Sequence, residues 1–253
     1  MTTRLKAVIA VVVAAVSIVI GAIPAGAIIG GDADLDQHPY VGMIYGCSGS
    51  LISPRVVVTA GHCTNGLQGF VVRFTVAPNG LGLPGGVTIL RAVAHPEYCS
   101  AIDPLQPDCS DGAFEHFDVG VYVLAEDIVL PVYARLPEPG QVETLAKRSS
   151  LTSVGYGISD QPTQVDYPDG YFRRNVATVT LTGVWGPDLY ATSENLGGSN
   201  GRTCYGDSGG PDLVGDVVVG VHSFVENKNC VRGGGSARLD DPETLSWIRS
   251  FLT

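Results

Sequence analysis

Residues 204–211 read Cys-Tyr-Gly-Asp-Ser-Gly-Gly-Pro, and no other stretch constrains the chain as tightly. A serine set among glycines, one position after an acidic residue, can be pushed out of a tight turn with its hydroxyl exposed. Gly206 would let two backbone N–H groups, its own and that of Ser208, point at one spot. Such a pair holds the negative oxygen that develops when a carbonyl is attacked. A serine hydroxyl alone is a poor nucleophile and needs a base that is itself held by a third group. The chain must therefore supply a histidine and a buried carboxylate. Thr59-Ala60-Gly61-His62-Cys63 and Phe117-Asp118-Val119-Gly120-Val121 provide both.

In the order His, Asp, Ser, these three motifs resemble the chymotrypsin family of serine proteases; subtilisins and α/β-hydrolases carry theirs in other orders. The resemblance covers Ile28 to Thr253. It implies an all-β fold of two antiparallel six-stranded β-barrels with a C-terminal α-helix, and a serine endopeptidase that needs no cofactor. His62 would be the general base, Asp118 would hold its imidazole, and Ser208 would form a covalent acyl ester. Gly206 and Ser208 would form the oxyanion hole. Protein or peptide substrates and protein inhibitors are the implied partners, and a monomer is the implied state. A lone Gly-Asp-Ser-Gly-Gly is compatible with a plain turn, and a lone Ala-Gly-His-Cys with a strand end. Their joint occurrence is what carries the reading. Two rivals share it: a binding or adhesion protein on the same fold, and an esterase.

The amino-terminal stretch reads as a secretory signal over residues 1–27. Arg4 and Lys6 form a positive start, Leu5 to Ile20 is almost wholly apolar, and Ala25-Gly26-Ala27 suits signal cleavage. The rival is a retained anchor, Ala7–Ile23, whose 17 uncharged residues are at the short edge for a bilayer span. Directly after Ala27 comes Ile28-Ile29-Gly30-Gly31, which resembles the new terminus that family members expose on activation. The resemblance implies that the Ile28 ammonium pairs with Asp207 as a latch, since a buried carboxylate without a partner is costly. Export and activation would then be one event. The alternative is cleavage after Ala22, which leaves the propeptide Ile23–Ala27 to be removed later.

Without Arg4 and Lys6, 13 basic side chains face 25 acidic ones, a net charge of about −12. So acidic a surface has no footprint for nucleic acid or anionic lipid. An apolar content of 45% is ample for a core, while 33 glycines and 16 prolines favour turns over long helices. The six cysteines are even in number and contain no Cys-x-x-Cys, which argues against zinc and for an oxidising compartment. By resemblance, Cys47 pairs with Cys63 and Cys204 with Cys230, leaving Cys99 with Cys109. A calcium in the acidic loop 103–111 has no ordered ligand spacing to support it. There is no Asn-x-Ser/Thr sequon.

Short β-branched and aromatic runs occur at Tyr40–Ile44, Ser50–Ile52, Val56–Thr59, Phe70–Val76, Gly86–Ala94 and Val119–Leu124, with a hairpin turn at Asn79-Gly80. A second set follows at Ser149–Gly155, Val176–Thr182, Leu189–Thr192, Asp212–Leu213, Val217–Ser223 and Ser236–Leu239. The reading therefore places one barrel over about 28–135 and another over about 136–240, joined near Leu130–Pro139. A helix is expected at 241–252, with Asp241 as cap, Pro242 first, and Leu245, Ile248 and Leu252 on one face.

In the specificity pocket the sequence departs from trypsin-like members. Where they carry an Asp six residues before the nucleophile, this chain carries Arg202, followed by Thr203. A guanidinium there repels basic substrate side chains. Ser223-Phe224-Val225 replaces the usual Ser-Trp-Gly, and Gly234 leaves the opposite wall open. Two outcomes stand: Arg202 points inward and selects Asp or Glu, or it swings out towards Glu226 and leaves room for small aliphatic residues. His116 is a decoy near Asp118, and His38, His95 and His222 are read as structural or solvent-facing.

Overall fold

The computed structural model describes residues 28–74, 86–101, 105–110, 115–158, 174–184, 189–193, 201–231 and 233–252. The expected signal segment, the Asn79-Gly80 turn and most acidic side chains of the 103–111 loop lie outside them. The strands are β1 (Asp32–Ala33), β2 (Val41–Ile44), β3 (Cys47–Ser53), β4 (Val56–Thr59), β5 (Val71–Val72), β6 (Val87–Ala94), β7 (Cys99–Ser100) and β8 (Glu115–His116). They continue with β9 (Gly120–Leu124), β10 (Ser150–Gly155), β11 (Asn175–Val184), β12 (Leu189–Ser193), β13 (Pro211–Val214), β14 (Val217–Val225) and β15 (Gly234–Arg238). One helix, α1 (Pro242–Arg249), ends the order.

The strands form two antiparallel sheets, as the alternating apolar runs lead one to expect. The first has the order β2-β3-β4-β9-β6-β5, and its ends meet where Met43 and Arg73 exchange backbone hydrogen bonds of 2.7 and 2.9 Å. In the second, β11-β10-β13-β14-β15-β12 close on themselves through the β11–β12 pairing. A short seventh strand, β1, lies against β11, so the segment next to Ile28 is pinned to the second barrel. The β7–β8 ribbon stands apart from both sheets.

The central strands are buried on both faces: Leu51, Val57 and Leu124 share one face of the first sheet and Val58 and Val121 the other, in a core that continues through Val154, Leu213, Val218 and Val221 of the second. Each such side chain contributes roughly 1.5–3 kcal/mol through burial. Three disulfides staple the chain, Cys47–Cys63, Cys99–Cys109 and Cys204–Cys230. The C-terminal helix is shorter than the apolar period suggests. Asp241 caps it, its Oδ2 accepting from Thr244 N at 2.8 Å, and Leu245 and Ile248 are buried. Leu252 falls beyond the helix's last residue, Arg249, and is exposed.

A buried ion network ties the amino-terminal segment to both barrels. Arg174, 1% exposed, donates from Nε to Asp34 Oδ2 at 2.7 Å, from Nη2 to Asp36 Oδ1 at 2.6 Å and from Nη1 to the Val41 carbonyl at 3.0 Å. Burial works against the Asp34 charge, but His38 and Arg174 outweigh it and hold the carboxyl below its usual range. Removing the guanidinium would leave that charge stranded. Arg174→Ala is therefore expected to cost about 3–5 kcal/mol of stability, read by urea unfolding.

Candidate active site

Three segments far apart in sequence converge at the junction of the barrels. His62 begins a 3-10 turn directly after β4, and the Cys47–Cys63 bridge ties that turn to the start of β3. Tyr122 Oη donates to the Cys63 carbonyl, and Thr64 Oγ1 donates to the Gly61 carbonyl at 2.7 Å. The imidazole, held from behind in this way, stays partly exposed at 28%.

Asp118 follows Phe117, whose φ of +48° is unusual for a side-chain-bearing residue and turns the chain sharply before β9. The carboxylate is 0% exposed. Its Oδ1 accepts from His62 N at 2.8 Å, and Oδ2 lies 2.8 Å from His62 Nδ1 and accepts from Ser223 Oγ at 2.6 Å. Burial opposes the charge, but the charge and hydrogen bonds of His62, with that of Ser223, hold the carboxyl below its ordinary range.

Ser208 lies between Gly206 at φ +96° and Gly209 at φ +77°, backbone values that suit glycine alone. The loop is laced to both barrels. Ser48 of β3 donates from N to the Ser208 carbonyl at 2.7 Å and from Oγ to the Gly206 carbonyl at 3.0 Å. On the other side, Gly209 N donates to the His222 carbonyl at 2.8 Å and His222 N to the Gly210 carbonyl at 2.9 Å. Asp207 is 0% exposed and accepts from Gly157 N at 2.8 Å and Cys204 N at 2.9 Å. No ion pair to it is present among the described residues, and burial pushes its carboxyl up to about 7 against the pull of those two donors. Ile28 is likewise fully buried, and Ile29 exchanges two 2.9 Å backbone bonds with Arg202.

His62 and Ser208 share a cleft of about 320 Å³. Thr203, Ser223, Phe224 and Val225 line it as the sequence suggests, together with Cys204, Tyr205 and His222. Arg202 and Gly234 are not among the lining residues. The Arg202 Nε is buried without a hydrogen-bond partner, and the expected swing towards Glu226 forms no ion pair among the described residues. His222 is buried, as its structural reading has it, and it also lines the cleft: at 6% exposure its Nδ1 lies 3.7 Å from Asp212 Oδ1 and its Nε2 is unpartnered. Burial lowers its proton affinity more than Asp212 raises it. Glu115 was also missed. It is buried beside Asp118, with Oε2 2.7 Å from Ser223 Oγ. Nothing in the continuously buried run of β14 singles out His222, and nothing local flags Glu115.

Donor atoms of His62, Glu115 and Asp118 lie within 4.8 Å of one another, as do those of Cys47, Cys63 and His62. The two sulfurs are spent in a disulfide, and the first group is joined by hydrogen bonds, so both clusters are accounted for without an ion.

A Cβ added at Gly209 would sit 2.5 Å from the Ser48 carbonyl oxygen, 2.8 Å from Ala60 N and closer still to Thr59 Oγ1. At Gly66, with φ +68°, nothing lies within 4 Å. Gly66→Ala is therefore expected to cost only the backbone strain of about 1–2 kcal/mol, while Gly209→Ala costs about twice that or more. Paired thermal melts measure the difference.

Comparison with known proteins agrees with this geometry. The family model described as Trypsin matches residues 28–248. A trypsin of Saccharopolyspora erythraea is 30% identical over 231 residues, covering 82% of this chain and 89% of its own length. Chymotrypsin-like elastase family member 1 of Homo sapiens is 29% identical over 222 residues, 81% of each chain. Hypodermin-B of Hypoderma lineatum is 25% identical over 242 residues, 90% of this chain and 87% of the relative. The motifs, the two-barrel topology and a match spanning almost all the described residues together assign this chain to the trypsin family of serine proteases, a serine peptidase and hydrolase.

Proposed function

We propose that the chain is exported, loses residues 1–27, and acts outside the cell as a monomeric serine endopeptidase with His62, Asp118 and Ser208 as its triad. The observation that carries the reading is the 2.8 Å contact of His62 Nδ1 with the buried Asp118, on a cleft that also holds Ser208. Held in that tautomer, the imidazole would take the Ser208 proton through its other nitrogen as the hydroxyl attacks the substrate carbonyl. The oxyanion would rest on the N–H groups of Gly206 and Ser208. Protonated His62 then returns the proton to the leaving amine, and water hydrolyses the ester by the same steps. The three disulfides suit an oxidising compartment.

Specificity is not tryptic in this reading, because no carboxylate lines the cleft among the described residues. An acidic side chain before the scissile bond suits the cleft better than a small aliphatic one, through His222 rather than Arg202. A neutral imidazole with an open Nε2 and a carboxylate behind it can become imidazolium when a substrate carboxylate arrives. Binding then takes up a proton, so KM for Glu or Asp substrates falls as pH falls towards the substrate's own pKa near ~4.3. A peptide-library digest is expected to show cleavage after Glu or Asp, shifting to small aliphatic residues in His222→Val. Small aliphatic cleavage by the wild type would overturn the acidic assignment, and Lys/Arg cleavage would overturn the pocket reading altogether. Inertness of Ser208 to a serine-directed phosphonate would favour a binding protein, and turnover of esters but never of peptides an esterase.

Cleavage after Ala27 would supply the cationic partner that Asp207 lacks among the described residues. The folded uncleaved chain binds a proton at Asp207 that the unfolded chain releases near ~3.8. The stability this group contributes is thus full below that value and lost as pH rises through about 7. In the uncleaved chain Asp207→Asn is expected to raise stability at pH 8 by ~1 kcal/mol or more. The gain should vanish towards pH 4, as thermal melts would show. In the cleaved chain the same change should abolish activity. Amino-terminal sequencing of the exported protein should begin at Ile28.

A further inference from the structure

Ser223 lies between two carboxyl groups. Its Oγ is 2.6 Å from Asp118 Oδ2 and 2.7 Å from Glu115 Oε2. A hydroxyl has one proton to donate. With both carboxyls ionised, one of these two contacts would set lone pair against lone pair in a buried site. Both are hydrogen bonds only if one carboxyl carries a proton and donates it to Ser223 Oγ. Asp118 is the wrong bearer, since both its oxygens already accept N–H groups of His62. Glu115 is the right one. It is 3% exposed on β8, and the groups facing it are Asp118, His62, the hydroxyls of Ser223 on β14 and Ser100 on β7, and Tyr98 Oη at 3.3 Å from Oε1. None of them is a permanent cation. Burial, then the charge of Asp118, pushes its carboxyl up to about 7.

We propose that Glu115 is a positioning residue of the triad, acting as a carboxylic acid that donates to Ser223 Oγ and thereby turns the Ser223 hydroxyl onto Asp118. The line of bonds then runs in one direction, from Glu115 through Ser223 to Asp118, which faces His62. When Glu115 loses its proton, Ser223 can serve only one of two carboxylates, and a second negative charge stands beside the imidazole. That charge favours protonated His62, so the form able to take the Ser208 proton emerges only at higher pH. The inference rests on the triad assignment above.

The test is the pH dependence of kcat and kcat/KM on a substrate without titrating side chains, for wild type, Glu115→Gln and Glu115→Ala. The wild type is expected to show two coupled ionisations on the acidic limb. Glu115→Gln keeps a donor to Ser223, so it should stay within about threefold of wild type at the optimum, with the limb reduced to one ionisation at lower pH. Glu115→Ala should lose about tenfold in kcat with KM little changed, the value of one hydrogen bond. Superimposable wild-type and Gln profiles would overturn the proposal, as would a Gln variant as impaired as Ala. Should Ala fail to fold, the Gln profile decides alone. A wild type without turnover sinks the triad assignment as well, whereas a working enzyme with unchanged profiles sinks only the role of Glu115.

Discussion

A carboxylate without access to water, that of Asp118, stands where the two barrels meet, and the site is arranged to make its charge tolerable. Desolvating an ion costs several kcal/mol unless partners replace the lost water. The partners come from different parts of the chain: the N–H and Nδ1 of His62 from the first barrel, and the Ser223 hydroxyl from the second. The imidazole's tautomer and direction follow from that compensation. Elsewhere in the molecule the same difficulty is met differently. Asp34 has Arg174 beside it, whereas Asp207 has peptide N–H groups and no cation among the described residues, and holds its proton to near neutrality.

Much of this was legible because glycine and cysteine positions leave few choices. Gly206 and Gly209 announce a loop with positive φ, and both have it. Val56–Thr59 and Val217–Ser223 announce strands as short β-branched runs between turn residues, and β4 and the core of β14 are found there. Two-residue strands carry no such period, so β1, β7 and β8 were not anticipated. The helix was drawn too long because Leu252 matches the apolar spacing while lying past Arg249, where the α-helix gives way to i→i+3 turns.

The two missed polar residues have different physical reasons. His222 sits in an apolar strand, where a histidine is normally a satisfied core residue, and only the fold reveals that this strand walls the cleft. Glu115 gains its meaning from Ser223, 108 positions away. Its neighbours Glu115-His116-Phe117 look like an ordinary polar approach to Asp118. Pairing of β7 with β8, beside the Cys99–Cys109 bridge that closes the loop between them, turns that approach inward. Long-range pairing of this kind leaves no trace in a window of a dozen residues.

The two hydrogen bonds from Ser48 to the carbonyls of Gly206 and Ser208 join a strand of one barrel to the reactive loop of the other. On the proposed triad, neither half owns a finished nucleophile. A chain in which only one half has formed carries a slack, unaimed hydroxyl, so newly made molecules that meet before assembly is complete are poor at cutting one another. Maturation in such a protein is guarded by its own architecture, before any inhibitor is needed.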